Sequence, residues 1–251
     1  MTAGDGVKVR AAVDIPLHGS NPRTPQVYSS LPTPSVETIW RAAAQRCGAR
    51  CSELGVTLSD PNSPSVVVIE ASDWLDPRIG DRRDARFAMA ALVVVTRDDA
   101  EQAYWRRLAW DTAPANADVY AAVETLRLAL DESARRIADR QAIEDYRRRV
   151  LSLNENERLV FDQVCSGRLN KQIAREVGVS VRTIEQRRRQ VFTKMGVDSA
   201  VPLAALRAQV ETLEDQARRQ RRGDRVLAST APHGRGWAPV SHAVPIVALP
   251  S

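Results

Sequence analysis

Two short stretches of the chain are apolar without a break: Ser65-Val66-Val67-Val68-Ile69-Glu70 and Ala91-Leu92-Val93-Val94-Val95-Thr96. Both are rich in β-branched residues. A strand covered on both faces reads this way, because neither alternate set of side chains meets water. Around them the period becomes helical. Pro34–Arg50 places Val36, Ile39, Trp40 and Ala43 on one face, and Asp98–Arg107 reads as a second helix. Asp118–Leu130 carries a stripe of Val119, Val123, Leu126 and Leu130 behind an Asp118 cap. Val27-Tyr28 and the stretch Leu108-Ala109-Trp110-Asp111-Thr112 are weaker strand candidates. Strands alternating with helices predict a doubly wound α/β domain over residues 27–130.

From Asp131 to Arg149 the chain is dense in charge and holds neither Gly nor Pro. It predicts a helix continuing from the preceding one, a linker over 131–150. Leu130, Ile137, Ile143, Tyr146 and Val150 are too irregularly spaced for a heptad seam. The segment is either a solvated connector or part of a dimer contact. Residues 151–222 then read as helices alone. Asn154 with Glu157 is a capping box, followed by an apolar face of Leu159, Val160, Val164 and Cys165. Asn170 is expected to cap a short helix, Lys171–Val177, with Ile173, Ala174 and Val177 inward. Gly178 supplies a left-handed turn position, and Ser180 caps a third helix, Val181–Met195. Ser199 is expected to cap a fourth, with Leu203, Leu206 and Val210 facing the bundle and Gly223 ending it. Residues 1–26 are expected to be a flexible leader and 223–251 a flexible tail.

Composition narrows the function classes. The 251 residues are 43% hydrophobic and 27% charged, a globular balance, with a formal net charge of +5. No apolar run approaches the roughly 20 residues that span a bilayer, and the N-terminus lacks the pattern of a secretory signal, so a cytoplasmic protein without a membrane is expected. Cys47, Cys51 and Cys165 are too few for a disulfide framework; Cys47 and Cys51, four apart, are within reach of one helix face, and the expectation is buried or partly buried thiols. No phosphate-cradling Gly motif or His-Glu metal cluster occurs, and His18, His233 and His242 fall in expected loops and tail. An enzyme, a cofactor and a metal site are therefore not expected.

The third helix of the C-terminal segment separates its faces. Ile184, Val191 and Met195 recur at i, i+7 and i+11, while Glu185, Gln186 and Arg189 cluster opposite at i, i+1 and i+4. A short helix, a Gly turn and a second capped helix make a helix-turn-helix. A helix fits the DNA major groove, where Arg pairs with guanine, Gln with adenine and Glu accepts from cytosine. Residues 152–196 hold nine basic and five acidic side chains, an excess suited to phosphates.

Leu153–Arg207 resembles the C-terminal DNA-binding domain of the FixJ/NarL/LuxR-type regulators. The matching residues are Leu153, Glu157, Arg158 and Val164, then Asn170-Lys171-Gln172-Ile173-Ala174, Gly178-Val179-Ser180, Arg182-Thr183-Ile184-Glu185 and Lys194-Met195-Gly196. The resemblance implies that Glu185, Gln186 and Arg189 read bases. It places Asn170, Lys171, Arg182, Thr183, Arg188 and Lys194 at the DNA backbone. The run Arg187-Arg188-Arg189 departs from the family, which often has His at the first position, and implies extra affinity for any DNA.

In FixJ-like proteins a receiver domain comes first, and the order of elements here resembles one. A working receiver holds magnesium with an acidic pair after its first strand and phosphate on an Asp after its third, and it has a Thr or Ser after its fourth and a Lys after its fifth. Here Leu31, Pro32 and Thr33 stand at the acidic pair, Glu70 at the phospho-acceptor position and Ala113 at the lysine; Thr96 alone matches. The second strand and its helix look shortened between Gly48 and Pro64. A degenerate receiver follows. In it Glu70 either imitates a phosphorylated Asp or is merely tolerated at a sheet edge, the domain serving pairing or partner binding. Asp73 and Asp76 are spare acids in the next loop.

The expectation is thus an α/β receiver-like domain followed by an all-α four-helix helix-turn-helix domain. It would act as a phosphorylation-independent, homodimeric regulator that binds double-stranded DNA, with a protein partner at the receiver-like domain. The alternative is an antiactivator that sequesters another regulator.

Overall fold

The computed structural model describes residues 23–54, 60, 62–72, 89–107 and 109–230, with side chains through 219. Most of the leader, the tail beyond Thr230, Asp73 and Asp76 lie outside the described residues.

Five parallel strands form one sheet: β1 (Gln26–Ser30), β2 (Arg50–Glu53), β3 (Ser65–Glu70), β4 (Ala91–Thr96) and β5 (Asp111–Pro114), in the order β2-β1-β3-β4-β5. That order is the flavodoxin-like form of the doubly wound sheet. The two uninterrupted apolar runs are β3 and its neighbour β4, and all twelve of their positions are buried. Alternation divides them between two cores. Val66, Val68, Ala91, Val93 and Val95 meet Trp40, Ala43 and Ala44 of α1 (Pro34–Arg46) and Ala122, Leu126 and Ala129 of a long helix, α3 (Val119–Leu151). Val67, Ile69, Leu92 and Val94 turn the other way, to Tyr28, Leu54 and Trp105; the last belongs to α2 (Asp99–Trp105).

Local chemistry sets the ends of these helices. Asp98 and Asp118 cap α2 and α3, accepting from the amides of Glu101 and Ala121 at 2.8 Å. Helix α1 stops at Arg46, four residues before the expected end. Gly48 takes φ 65°, and the amides of Gly48 and Ala49 close back onto the carbonyls of Gln45 and Ala44, which ends the helix and frees the chain to enter β2. The four-residue β2 agrees with a shortened second strand. Cys47 follows α1 whereas Cys51 lies in β2, so the two thiols do not share a helix face.

Helix α3 confirms the continuous helix predicted across residue 131, but its first half is not a free linker. Buried Ser133 accepts from the Ser65 amide at 2.9 Å and donates to the Met89 carbonyl at 2.7 Å. Arg136 donates to the Ala90 carbonyl at 3.0 Å, and Ile137 is buried. The α/β unit therefore extends to about residue 137. Toward its other end Tyr146 and Val150 pack against the core of the second unit.

That second unit contains α4 (Glu155–Cys165), α5 (Asn170–Val177), α6 (Val181–Met195) and α7 (Ala200–Thr230). Its core joins Leu153, Val160, Phe161, Val164, Ile173, Ala174, Ile184, Val191, Met195 and Leu203. The expected inward Leu159 is exposed, and Phe161 takes that place; the apolar face of α4 is rotated from the sequence estimate. Helix α7 passes through Gly223 to Thr230. One glycine costs a helix only about 1 kcal/mol, too little to stop it where no proline follows until Pro232. Among the described residues, no helix is long and apolar enough to cross a membrane.

Candidate nucleic-acid interface

The capping box forms as the sequence predicts: Glu157 N donates to Asn154 Oδ1 and Asn154 N to Glu157 Oε2, each at 2.9 Å. Helix α5 begins one residue earlier than expected. Its cap position is Leu169, whose amide donates to Gln172 Oε1 at 2.8 Å. Asn170 is the first helical residue rather than the cap, so its side chain is released for other work. Gly178 takes φ 72° in the turn, and the Val179 amide reaches back to the Ala174 carbonyl at 3.0 Å. Ser180 then caps α6, accepting from the Thr183 amide at 3.1 Å.

Two faces of α6 result. Ile184, Val191 and Met195 have no exposed surface at all; burying each stabilises the unit by about 1.5–3 kcal/mol. Opposite them Glu185, Gln186 and Arg189 are exposed. Among the described residues none of these three side chains takes a hydrogen bond or ion pair. Arg182 and, on α5, Lys171 are exposed in the same unengaged state, while Thr183 is half-buried and shares a 2.8 Å hydrogen bond with the Ser180 hydroxyl.

The three consecutive arginines have three different settings. Arg187 is drawn partly inward, and its Nη1 is buried without a hydrogen-bond partner. Arg188 is half-buried, donates from Nη1 to Asn170 Oδ1 at 2.6 Å and stacks over the Phe192 ring at 5.3 Å. Arg189 alone is fully presented.

Lys194, expected at a phosphate, is exposed along its side chain, but its ammonium is bonded back to the unit. Its Nζ donates to Glu157 Oε2 at 2.6 Å and to the Ser152 carbonyl at 3.0 Å. The ammonium holds the buried Glu157 carboxyl below the usual carboxylate range, helped by the Asn154 amide and opposed by burial. The partner was hidden because Glu157 lies 37 residues away in sequence. A further contact escaped the sequence reading. Arg149 of α3 donates from Nη1 to the Met195 carbonyl at 2.8 Å and pairs with Asp145 at 2.6 Å. A guanidinium at that carbonyl complements the negative end of the α6 dipole. The only sequence signal was a basic residue near the end of a helix.

At the carboxyl edge of the sheet, Leu31, Pro32 and Thr33 follow β1, Glu70 ends β3 and Thr96 ends β4. Glu70 lies on the central strand, not at an edge strand, and is buried. Its two carboxylate oxygens accept from the Thr33 amide and the Thr33 hydroxyl, both at 3.0 Å. Thr96 and Ala113 are buried, and the Thr96 hydroxyl makes a long contact of 3.4 Å to the Ala113 carbonyl. Glu101 reaches instead to Arg97, accepting from its amide at 2.8 Å. Among the described residues no group of three or more His, Cys, Asp or Glu comes together.

Comparison with known proteins agrees with this geometry. Residues 151–206 match the family described as bacterial regulatory proteins, luxR family. The transcriptional regulatory protein FixJ of Bradyrhizobium diazoefficiens is 40% identical over 92 residues, which are 35% of this chain and 45% of that protein. FixJ of Azorhizobium caulinodans is 34% identical over 100 residues, 39% of this chain and 47% of that protein. The chain thus spans about half the length of the curated relatives it matches. Among solved structures, the response regulator StyR is similar in fold, with a TM-score of 0.57 at 19% identity over 74% of this chain and 99% of that one.

Proposed function

We propose that the chain regulates transcription by binding double-stranded DNA in a sequence-specific way, with α6 in the major groove. The observation that carries this reading is the division of α6 into a fully buried aliphatic face and an exposed face of three unengaged, hydrogen-bonding side chains. Glu185, Gln186 and Arg189 read base edges. Lys171, Arg182 and Thr183 approach phosphates, since Lys171 and Arg182 are presented with no ion-pair partner among the described residues. Lys194 is dropped from that set because its ammonium is committed to Glu157. Similarity to relatives named as transcriptional regulatory proteins supports the same reading.

The α/β domain is a degenerate receiver whose control does not pass through phosphate. Its would-be acceptor is a glutamate bonded to Thr33, and the positions that would hold magnesium are Leu31, Pro32 and Thr33. The domain serves pairing of two chains or contact with a protein partner, and α3 relays that state by gripping the C-terminal end of α6 through Arg149. A dimer would engage two half-sites about one helical turn of DNA apart.

Selection of duplexes from a random library by the full chain, followed by mobility shift and footprinting, tests the reading. The expected result is an enriched sequence protected as two half-sites. Failure of the folded chain to prefer any duplex over a scrambled one would remove it in favour of an interaction protein that sequesters another regulator.

A further inference from the structure

The middle arginine of the run on α6 is held by two neighbours within the unit. Arg188 donates to Asn170 Oδ1 at 2.6 Å, and its guanidinium lies over the Phe192 ring, one turn further along the same helix, at 5.3 Å. Asn170 is the first residue of α5, one place past the cap position Leu169, whose amide donates to Gln172 Oε1, so the Asn170 side chain makes no cap bond in that helix. Asn170 Oδ1 is therefore available to Arg188 at no cost to α5. Two contacts fix the guanidinium in plane and direction, and an arginine whose planar head is held by both an acceptor and a ring is poorly replaced by lysine. The pin joins the start of α5 to the middle of α6, directly beside Arg189 and two residues from Gln186.

We propose that Asn170, Arg188 and Phe192 form a clamp that sets the angle of α6 against α5. Asn170 and Arg188 then act as positioning residues for base choice rather than as phosphate contacts. The proposal rests on the DNA-binding reading above and assigns these two residues a different role from the one their family positions imply. The clamp matters because base-edge hydrogen bonds depend steeply on geometry, whereas attraction to phosphates depends mainly on charge. Releasing the pin should loosen discrimination and leave general affinity alone.

The test uses the full chain, a duplex that the wild type selects from a random library, and a scrambled duplex of the same composition. Arg188→Lys keeps the charge and loses the fork and the stack. It should reduce the preference for the selected duplex about tenfold, with unchanged affinity for the scrambled one and an unchanged salt slope. Asn170→Ala should do the same, and the double variant should be no worse than either single one. Asn170→Asp keeps the acceptor, so it should restore the preference while weakening both duplexes alike. Wild-type behaviour of Arg188→Lys would overturn the clamp. So would an Arg188→Ala variant that weakens both duplexes equally and lowers the salt slope by about one, the signature of a lost phosphate contact. A wild type that selects no duplex overturns the DNA reading and the clamp together, an outcome distinct from loss of the clamp alone.

Discussion

The carboxyl edge of the sheet and the outer face of α6 are the two places where the sequence puts polar side chains at positions that chemistry could use. They have been treated in opposite ways. At the sheet, Glu70 is buried and both its oxygens are taken by Thr33. On α6, Glu185, Gln186 and Arg189 stand in water with no internal partner among the described residues. A buried carboxylate tied to a neighbour's amide and hydroxyl has committed part of its hydrogen-bonding capacity to the fold, while an exposed free one keeps all of it for a ligand. The contrast puts the unengaged polar surface on the C-terminal unit, while at this edge of the α/β unit the carboxylate is turned into the fold. Within the C-terminal unit the same distinction separates Lys194 from Lys171: one cation is committed to holding the unit together and the other is available.

The largest effect should come from breaking an inward pair. Glu157 combines a capping interaction with the buried end of the Lys194 ion pair. Lys194 is partly exposed, which keeps the loss below the 3–5 kcal/mol of a fully buried pair. Glu157→Ala should destabilise the C-terminal unit by about 2–3 kcal/mol, measured by denaturant unfolding of the full chain. Glu157→Gln keeps both acceptor and cap and should lose less. The sign of the pH dependence follows from the lowered carboxyl. Its folded value lies below the unfolded one, near the ordinary glutamate value of about 4.3, so its contribution is complete above that value and is lost as the pH falls through the depressed one. Acid unfolding of Glu157→Ala should therefore be less steep in that window; an identical acid profile would show that the pair carries no linkage.

An outward side chain should give a smaller effect of a different kind. Arg189→Ala should leave stability within about 0.5 kcal/mol, as exposed sites do. It should also cut the preference for a selected duplex by about tenfold and relax base choice at one position. A mobility-shift titration that finds operator preference unchanged removes Arg189 from the reading face. Of similar size is the backbone term at the turn. A Cβ built on Gly178 meets nothing within 4 Å, so Gly178→Ala is limited to the left-handed penalty of about 1–2 kcal/mol per residue, or less if the turn relaxes. It should lower the Tm of the C-terminal unit without changing base preference.

The sequence revealed what is repeated or local and concealed what is paired at a distance. β3 and β4 were legible because strands covered on both faces must be apolar throughout, and Ser180 and the Asn154–Glu157 box were legible because a cap and its target lie three residues apart. The exposed trio on α6 followed from helical period alone. Asn170 was misread because serviceable cap residues look alike in sequence, while Gln172 satisfies the preceding amide from inside the helix. The settings of Arg188 and Lys194 depend on partners 18 and 37 residues away, and a charge in a sequence does not say whether its counter-charge is water, phosphate or a neighbour. Ser133 was hidden for the same reason. A single serine within a charged helix gives no sign that it ties together the entries of two strands.

The smallest effect tests the other half of the comparison. If Glu70 imitated a phosphorylated aspartate, neutralising it would switch the domain and change DNA affinity. The geometry argues otherwise, because both oxygens are spent on Thr33, the residue that precedes α1, and face no cation among the described residues. Glu70→Gln can still accept from one Thr33 donor through its single carbonyl oxygen, so the variant loses one charge-assisted hydrogen bond and should be destabilised by about 1 kcal/mol. Its affinity for a selected duplex should stay within about twofold of the wild type, a shift below 0.5 kcal/mol. Glu70→Asp shortens the reach to Thr33 and restores the residue type that accepts phosphate. It should remain unlabelled by acetyl phosphate, since Leu31, Pro32 and Thr33 offer no carboxylate for magnesium. Labelling of that variant, or a tenfold change in DNA affinity of Glu70→Gln, would return phosphate chemistry to this edge of the sheet and undo the division between an inward-turned domain and an outward-facing one.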